Sequence, residues 1–279
     1  MYEAHFGLQE APFALTPNTR YFLRAPSHGD ALELLVVALR HREGFIKITG
    51  EVGTGKTLLC RLLLNELDGE AHTAYIPNPH LAPEALYEAV AEELGADLQP
   101  GANTHQVLKS LNERLIALAM EQKPAVLVID EAQAMPEATI EALRLLTNLE
   151  TESTRLLQVV LFGQPELDTL LSRESLRQLK QRITFHYRIE PLDRESVAQY
   201  LRHRLALAGY NGADVFRPGA LKVITRASGG IPRLVNVLAH KAMLVAWGRG
   251  DRQVERGHVL SAVKDTESAR PPGLLARWL

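Results

Sequence analysis

One stretch constrains this chain more than any other: KITGEVGTGKTLLC, from Lys47 to Cys60. Glycines at 50, 53 and 55 let the backbone curl so that successive N–H groups point inward. The loop then feeds a helix N-terminus, which presents the positive end of its dipole. Such a backbone nest is an anion site. The spacing Gly50-x-x-x-x-Gly55-Lys56-Thr57 is that of a phosphate-binding loop. From average composition, a chance match in a chain this long has a probability of roughly 1%.

A loop of this kind needs a strand before it and a helix after it. Gly44–Thr49 is β-branched and aromatic and reads as that strand; Thr57–Leu67 reads as the helix. The expected binding segment is Gly50, Glu51, Val52, Gly53, Thr54, Gly55, Lys56, Thr57 and Leu58. Lys56 would reach the β- and γ-phosphates of ATP, and Thr57 would ligate Mg²⁺. Cys60, on the inner part of the same helix, reads as a small core residue.

Further along, Thr73–Ile76 reads as a strand, and Pro83–Leu94 and Thr104–Glu121 as helices. Ala125–Ile129 is an apolar run bounded by Pro124 and Asp130, as expected for a strand buried on both faces of a parallel sheet. Pro136–Leu149 reads as a helix, and Leu156–Phe162 and Ile183–Ile189 as strands. Strands alternating with helices imply a parallel α/β sheet. After Pro191 the pattern is helical only: Asp193–Ala208, Pro218–Ala227, Pro232–Trp247 and Glu255–Asp265, with glycines between them. The expected organisation is a lead-in at 1–42 broken by Pro12, Pro17 and Pro26 before a helical pattern at Asp30–His41, a P-loop core at 43–190, an all-helical lid at 191–267 and a loose tail at 268–279.

The run AVLVIDEAQ ends its strand in Asp130-Glu131. Asp130 would hold Mg²⁺, directly or through water, and Glu131 would orient and deprotonate the attacking water. A guanine-nucleotide switch protein more usually lacks this pair. The reaction class is therefore ATP hydrolysis.

The order of P-loop, Asp-Glu pair, polar residue after the next strand, Arg, then helical module resembles an AAA+ ATPase. Three stretches narrow the resemblance to the ExeA/GspA-type secretion ATPases. LFGQPEL (Leu161–Leu167) looks like their sensor 1 strand end, with Gln164 as the sensor. QLKQRITFHYRIEPL (Gln178–Leu192) looks like their arginine-finger segment, with Arg182 as the finger and Arg177 as the alternative. SGGIPRLVN (Ser228–Asn236) looks like their sensor 2 helix start, with Arg233 as the sensor. HFGLQEAPFALTPNTRYFL (His5–Leu23) resembles the family's opening. Within the family the pattern is nearest the MshM type of mannose-sensitive haemagglutinin (type IV) pilus biogenesis. The resemblance implies an ATP-dependent homo-oligomeric ring, with a hexamer as the candidate size, working on inner-membrane pilus or secretion assembly proteins. The longer ExeA-type proteins continue into a transmembrane helix and a peptidoglycan-binding domain that this sequence lacks, so a peptidoglycan role is not carried over.

Composition bounds the remaining choices. Met1–His5 has no basic leader, no apolar run approaches about 18 residues, and Cys60 is the single cysteine. A cytoplasmic protein is expected, with the inner-membrane periphery as its candidate location. Ten histidines show no metal-ligand spacing, which leaves Mg²⁺ as the expected metal. Residues 1–190 hold 17 Lys and Arg against 26 Asp and Glu, whereas residues 191–279 hold 14 against 7. A basic helical module on an acidic body motivates an alternative: an ATP-dependent DNA-binding AAA+ protein of transposition or replication-initiator type. The basic residues are dispersed, however, and no helix-turn-helix is recognisable.

Overall fold

The apolar run Ala125–Ile129 forms a strand whose five residues are all buried. It pairs in parallel on both sides, so neither edge nor face meets water, which is why no polar residue interrupts it. The structure, a computed structural model, describes residues 2–147 and 155–271. In chain order the elements are α1 (Glu3–Phe6), α2 (Pro26–Arg40), β1 (Phe45–Gly50), α3 (Lys56–Glu66), β2 (His72–Ile76), α4 (Pro83–Glu93), α5 (Thr104–Met120), β3 (Ala125–Ile129), α6 (Glu137–Leu146), β4 (Leu157–Gly163), α7 (Glu166–Leu170), α8 (Arg177–Arg182), β5 (Ile183–Ile189), α9 (Arg194–Leu207), α10 (Pro218–Ser228), α11 (Pro232–Arg249) and α12 (Arg256–Lys264). The described residues form two compact units. One takes its residues from 27–50 and 56–189; the other takes them from 2–26, 51–55 and 190–271.

The first unit is built on a parallel sheet in the order β2-β3-β4-β1-β5. Its registers place Thr49 beside Gly163, Ile129 beside Leu161, and Ile76 beside Ile129. The carboxyl ends of four strands therefore open on one side, where α/β sheets bind ligands. On α5, Val107, Leu111, Leu115 and Leu118 form an apolar stripe at helical spacing and are fully buried. Burying each leucine stabilises the fold by about 1.5–3 kcal/mol. Asn103 and Gln106 exchange side chain–backbone bonds across the first turn of α5 and fix its start. β5, at the sheet edge, alternates half-buried and exposed residues, as a strand with one wet face should.

Several boundaries differ from the sequence reading. Pro26 is the first residue of α2 instead of a break before it, because proline suits the first helical turn. Pro136 caps α6 from outside, and α6 ends at Leu146; residues 148 and 149, expected in that helix, lie outside the described residues. The short helices α1, α7 and α8 have no counterpart in the sequence reading.

In the second unit, α9 to α12 share one core with the chain's first residues. Tyr2, Phe6, Leu8 and Phe13 are buried with Val197, Leu201, Leu238 and Val259. The Tyr2 hydroxyl lies 2.9 Å from His240 Nδ1. Arg204 of α9 is buried and serves as the main anchor: it donates to the carbonyls of Pro12 and Ala14 and to the Tyr200 hydroxyl. Its guanidinium also lies 4.5 Å from the Tyr21 ring centroid and 5.6 Å from that of Tyr200. An isolated parallel bridge between Phe216 and Val254 adds extended pairing where the sequence suggested helices alone.

Replacing Arg204 by Met should orphan two carbonyls at about 1–3 kcal/mol each. Hydrogen exchange in residues 9–25 should accelerate, and trypsin should cut faster at Arg20 and Arg24. Unchanged protection there would mean that the arginine is not the anchor.

Candidate functional site

Between β1 and α3 the chain turns through Gly53 at φ 81° and Gly55 at φ 100°. Gly53 has a second reason to lack a side chain. A Cβ there would sit 2.8 Å from Arg233 Cβ and 3.2 Å from Ile231 Cγ2. The Gly53 carbonyl also accepts from the Arg233 amide at 3.2 Å. Thr54, buried, closes the loop on itself through its hydroxyl, which donates to the Glu51 carbonyl at 2.8 Å. Glu51 and Val52 are exposed and Leu58 is half-buried. Lys56 opens α3; its ammonium is buried and donates to the Gly50 carbonyl at 2.8 Å.

At the end of β3, Asp130 is only 3% exposed. Its Oδ2 accepts from the Thr57 hydroxyl at 2.7 Å, and its Oδ1 from the Glu131 amide at 2.9 Å. Burial pushes its carboxyl above the usual aspartate range, against the pull of those two bonds and of the Lys56 charge. A hydroxyl and a buried carboxylate this close are hard oxygen donors. A divalent cation would relieve the cost of burying the charge, so the pair fits Mg²⁺. Among the described residues no group of three or more His, Cys, Asp or Glu could hold a metal. The fit is therefore to a cation held by few protein ligands, as Mg²⁺ is beside phosphates.

Glu131 follows in left-handed backbone, φ 52° and ψ 37°, a state that costs a non-glycine residue about 1–3 kcal/mol. This turn brings its carboxylate toward β4. Glu131 Oε2 accepts from Gln133 Nε2 at 2.5 Å and from Gln164 Nε2 at 3.0 Å. The Gln164 amide in turn donates to Gln133 Oε1 at 2.9 Å. Burial raises the Glu131 carboxyl, but the two amide bonds and the Lys56 charge outweigh it and hold the group below the usual glutamate range.

Lys56, Thr57, Asp130, Glu131 and Gln164 therefore stand together at the carboxyl ends of β1, β3 and β4. Arg182 does not join them within one chain. It ends α8, just before β5 begins alongside Phe45, at the amino end of the sheet. A strand of this length puts it roughly 20 Å from Gln164. Its guanidinium donates to Thr147 Oγ1 at 2.9 Å and to the Arg144 carbonyl at 3.3 Å, at the end of α6. Arg177 opens α8, is exposed, and pairs with Glu174 at 3.4 Å. Arg233 lies in the first turn of α11 with an exposed side chain. The turn into that helix runs through Gly230, at φ 76°, where a Cβ would collide with the Leu192 carbonyl. The sequence motifs assign no role to Gln133; the one signal for it is a polar residue in the turn just past a strand-end carboxylate pair.

Because Gly53 is both left-handed and in contact with α11, Gly53→Ala should destabilise the protein by at least about 1–3 kcal/mol. Thermal unfolding would register this as a fall of several degrees in Tm. A Tm unchanged within a degree would contradict the observed approach.

Residues 39–171 match the AAA domain family. General secretion pathway protein A of Aeromonas hydrophila is 41% identical over 273 residues, 98% of this chain and 50% of that protein. The chain thus spans about half the length of this relative. Among solved structures, Cdc6p of Pyrobaculum aerophilum superposes with a TM-score of 0.66 at 18% identity, covering 94% of this chain and 70% of the other. The ORC2 protein of Aeropyrum pernix, in complexes with ADPNP and ADP, gives a TM-score of 0.64 at 19% identity over 92% of this chain and 71% of its own. With its parallel sheet, its loop at the end of β1 and its helical C-terminal region, the chain has the AAA P-loop fold.

Proposed function

We propose that this chain is an AAA+ ATPase of the ExeA/GspA type that binds ATP with Mg²⁺ and hydrolyses it to ADP and phosphate. The observation that carries the reading is the convergence of Lys56, Thr57, Asp130, Glu131 and Gln164 at one edge of the sheet. The backbone of residues 50–58 and the α3 dipole would take the phosphates. Lys56 would exchange its bond to Gly50 for the β/γ-phosphate oxygens. Thr57 and Asp130 would hold Mg²⁺, which when bound neutralises phosphate charge. Glu131 would accept the proton of the attacking water, and its depressed carboxyl range keeps it ionised at neutral pH. Gln164 would hold the base or the γ-phosphate. Arg233, against Gly53, would sense the phosphates from the start of α11. Arg182, or Arg177, would serve a neighbouring subunit. The position of Arg182 at the opposite end of the sheet favours a shared site in an ATP-dependent homo-oligomeric ring, with a hexamer as the candidate size.

The 41% identity to a general secretion pathway protein supports work at a type II secretion or MSHA-like (type IV) pilus assembly. The protein would act from the cytoplasm at the periphery of the inner membrane, on membrane-bound assembly proteins. Among the described residues no helix is long and apolar enough to cross a membrane. The charge of residues 191–279, 14 basic against 7 acidic, favours as a second reading an AAA+ protein whose turnover answers to DNA.

ATP hydrolysis measured with and without duplex DNA separates the two. Turnover indifferent to DNA supports the secretion or pilus reading; DNA-stimulated turnover supports the other. Lys56→Ala should abolish nucleotide binding. Glu131→Gln should bind ATP yet lose about 10²–10⁴ in turnover, and light scattering should find it assembled in saturating ATP. Arg182→Ala should bind ATP but not hydrolyse it, and Arg177→Ala should retain activity. The reverse would exchange their roles, and a monomeric Glu131→Gln protein in ATP would refute the shared site.

A further inference from the structure

The three polar contacts at the ends of β3 and β4 close into a ring. Gln133 and Gln164 both donate their side-chain amides to a single oxygen of Glu131, Oε2. Gln133 then accepts, through Oε1, the backbone amide of Gln164. Among the described residues Glu131 Oε1 accepts no hydrogen bond, so one carboxylate oxygen is fixed and the other is left to meet a water. Two structural features accompany this arrangement. Glu131 sits in left-handed backbone, after which a single turn of 3₁₀ helix, Ala132–Ala134, carries Gln133 back under the carboxylate. On the β4 side, Gly163 leaves room chiefly for Leu167 and also for Gln133: a Cβ there would lie 2.7 Å from Leu167 Cδ2 and 3.3 Å from Gln133 Oε1.

The structure assigns Gln133 as the positioning residue of the hydrolytic site, one that holds the carboxylate of Glu131 and the backbone of Gln164 in a fixed mutual geometry. The assignment rests on the ATPase reading above. Gln133 bears neither a charge nor a group able to take a proton, and it acts through Glu131 and Gln164. Its Nε2 selects which carboxylate oxygen is occupied, and its Oε1 fixes the loop that presents Gln164. Gln164 alone would leave the carboxylate on one donor, free to rotate about its last torsion. Nucleotide affinity is set elsewhere, by Lys56 and the loop amides.

The test uses full-length protein and two variants. Gln133→Met keeps the length and removes both bonds; Gln133→Glu keeps the acceptor for Gln164 and replaces the donor with an anion. Both should lower kcat for ATP by about 10–100-fold, the cost of a base misplaced by an ångström or so. KM and nucleotide Kd should stay within about twofold, and Gln133→Glu should be the slower. Added to Glu131→Gln, Gln133→Met should cost clearly less than it does alone, because the part of its effect that runs through Glu131 is already lost and only the part through Gln164 remains. A purely structural role would lower the double variant by the same factor as Gln133→Met alone. Equal kcat in wild type and Gln133→Met, or a loss additive with Glu131→Gln, overturns the assignment. Nitrogen-15 spectra of nucleotide-free protein test the ring independently of turnover. The Gln133 side-chain amide signal, identified by its loss in Gln133→Met, should move in Glu131→Ala, and an unmoved signal overturns the ring. Absence of turnover in wild-type protein whose amide signal does move would count against the ATPase reading, not the ring.

Discussion

The site depends on one short contact, the Thr57 hydroxyl on the buried carboxylate of Asp130. It joins the first turn of α3 to the end of β3, two elements separated by the whole of β2, α4 and α5 in the chain. A carboxylate this deep could not persist as an anion without such bonds. It accepts from Thr57 and from the next backbone amide, and Lys56 stands near enough to favour its charge. The parallel register fixes the rest, since Thr49, Ile129 and Leu161 end their strands side by side. The loop after β1, the carboxylate pair after β3 and Gln164 after β4 must then share one edge.

Much of this was legible in the sequence because the signals are local. The β3 boundaries agree to the residue: an uninterrupted apolar run between a proline and a carboxylate admits little else. The starts of α4, α10 and α11 at Pro83, Pro218 and Pro232 follow from the same logic, proline being at home only in the first turn. The parallel α/β class followed from alternation. The elements that escaped are those too short for periodicity to register, α1 at four residues, α7 at five and α8 at six. Long-range burial escaped as well. Nothing in the local pattern around Tyr21 announces that Arg204 will stack on it, because the partner is supplied by tertiary packing.

At the site, residue types were legible and their mutual bonds were not. Gln133 illustrates why. Its neighbourhood is set by a left-handed glutamate, a conformation that sequence gives no reason to expect outside glycine or asparagine. Once Glu131 takes that turn, the spacing of two residues to Gln133 becomes a contact instead of a divergence. The strain is tolerated because the turn is fixed on both sides, by the Asp130 carboxylate on the Glu131 amide and by the Gln133–Gln164 bond across the sheet edge.

The same geometry argues for a division of labour in the proposed ATPase. In that proposal the groups that would hold phosphates, a cation and a water lie at the carboxyl edge of one sheet. Lys56 donates to the Gly50 carbonyl, and the Arg233 backbone amide donates to that of Gly53. Arg182 sits a strand's length away at the amino edge, tied by its bonds to the end of α6. A guanidinium cannot cross about 20 Å, so any help it gives to developing phosphate charge must go to another chain. A single chain would then bind ATP and aim its base yet turn over slowly. The missing charge would arrive only on assembly, which makes assembly the step that links nucleotide state to work on a partner.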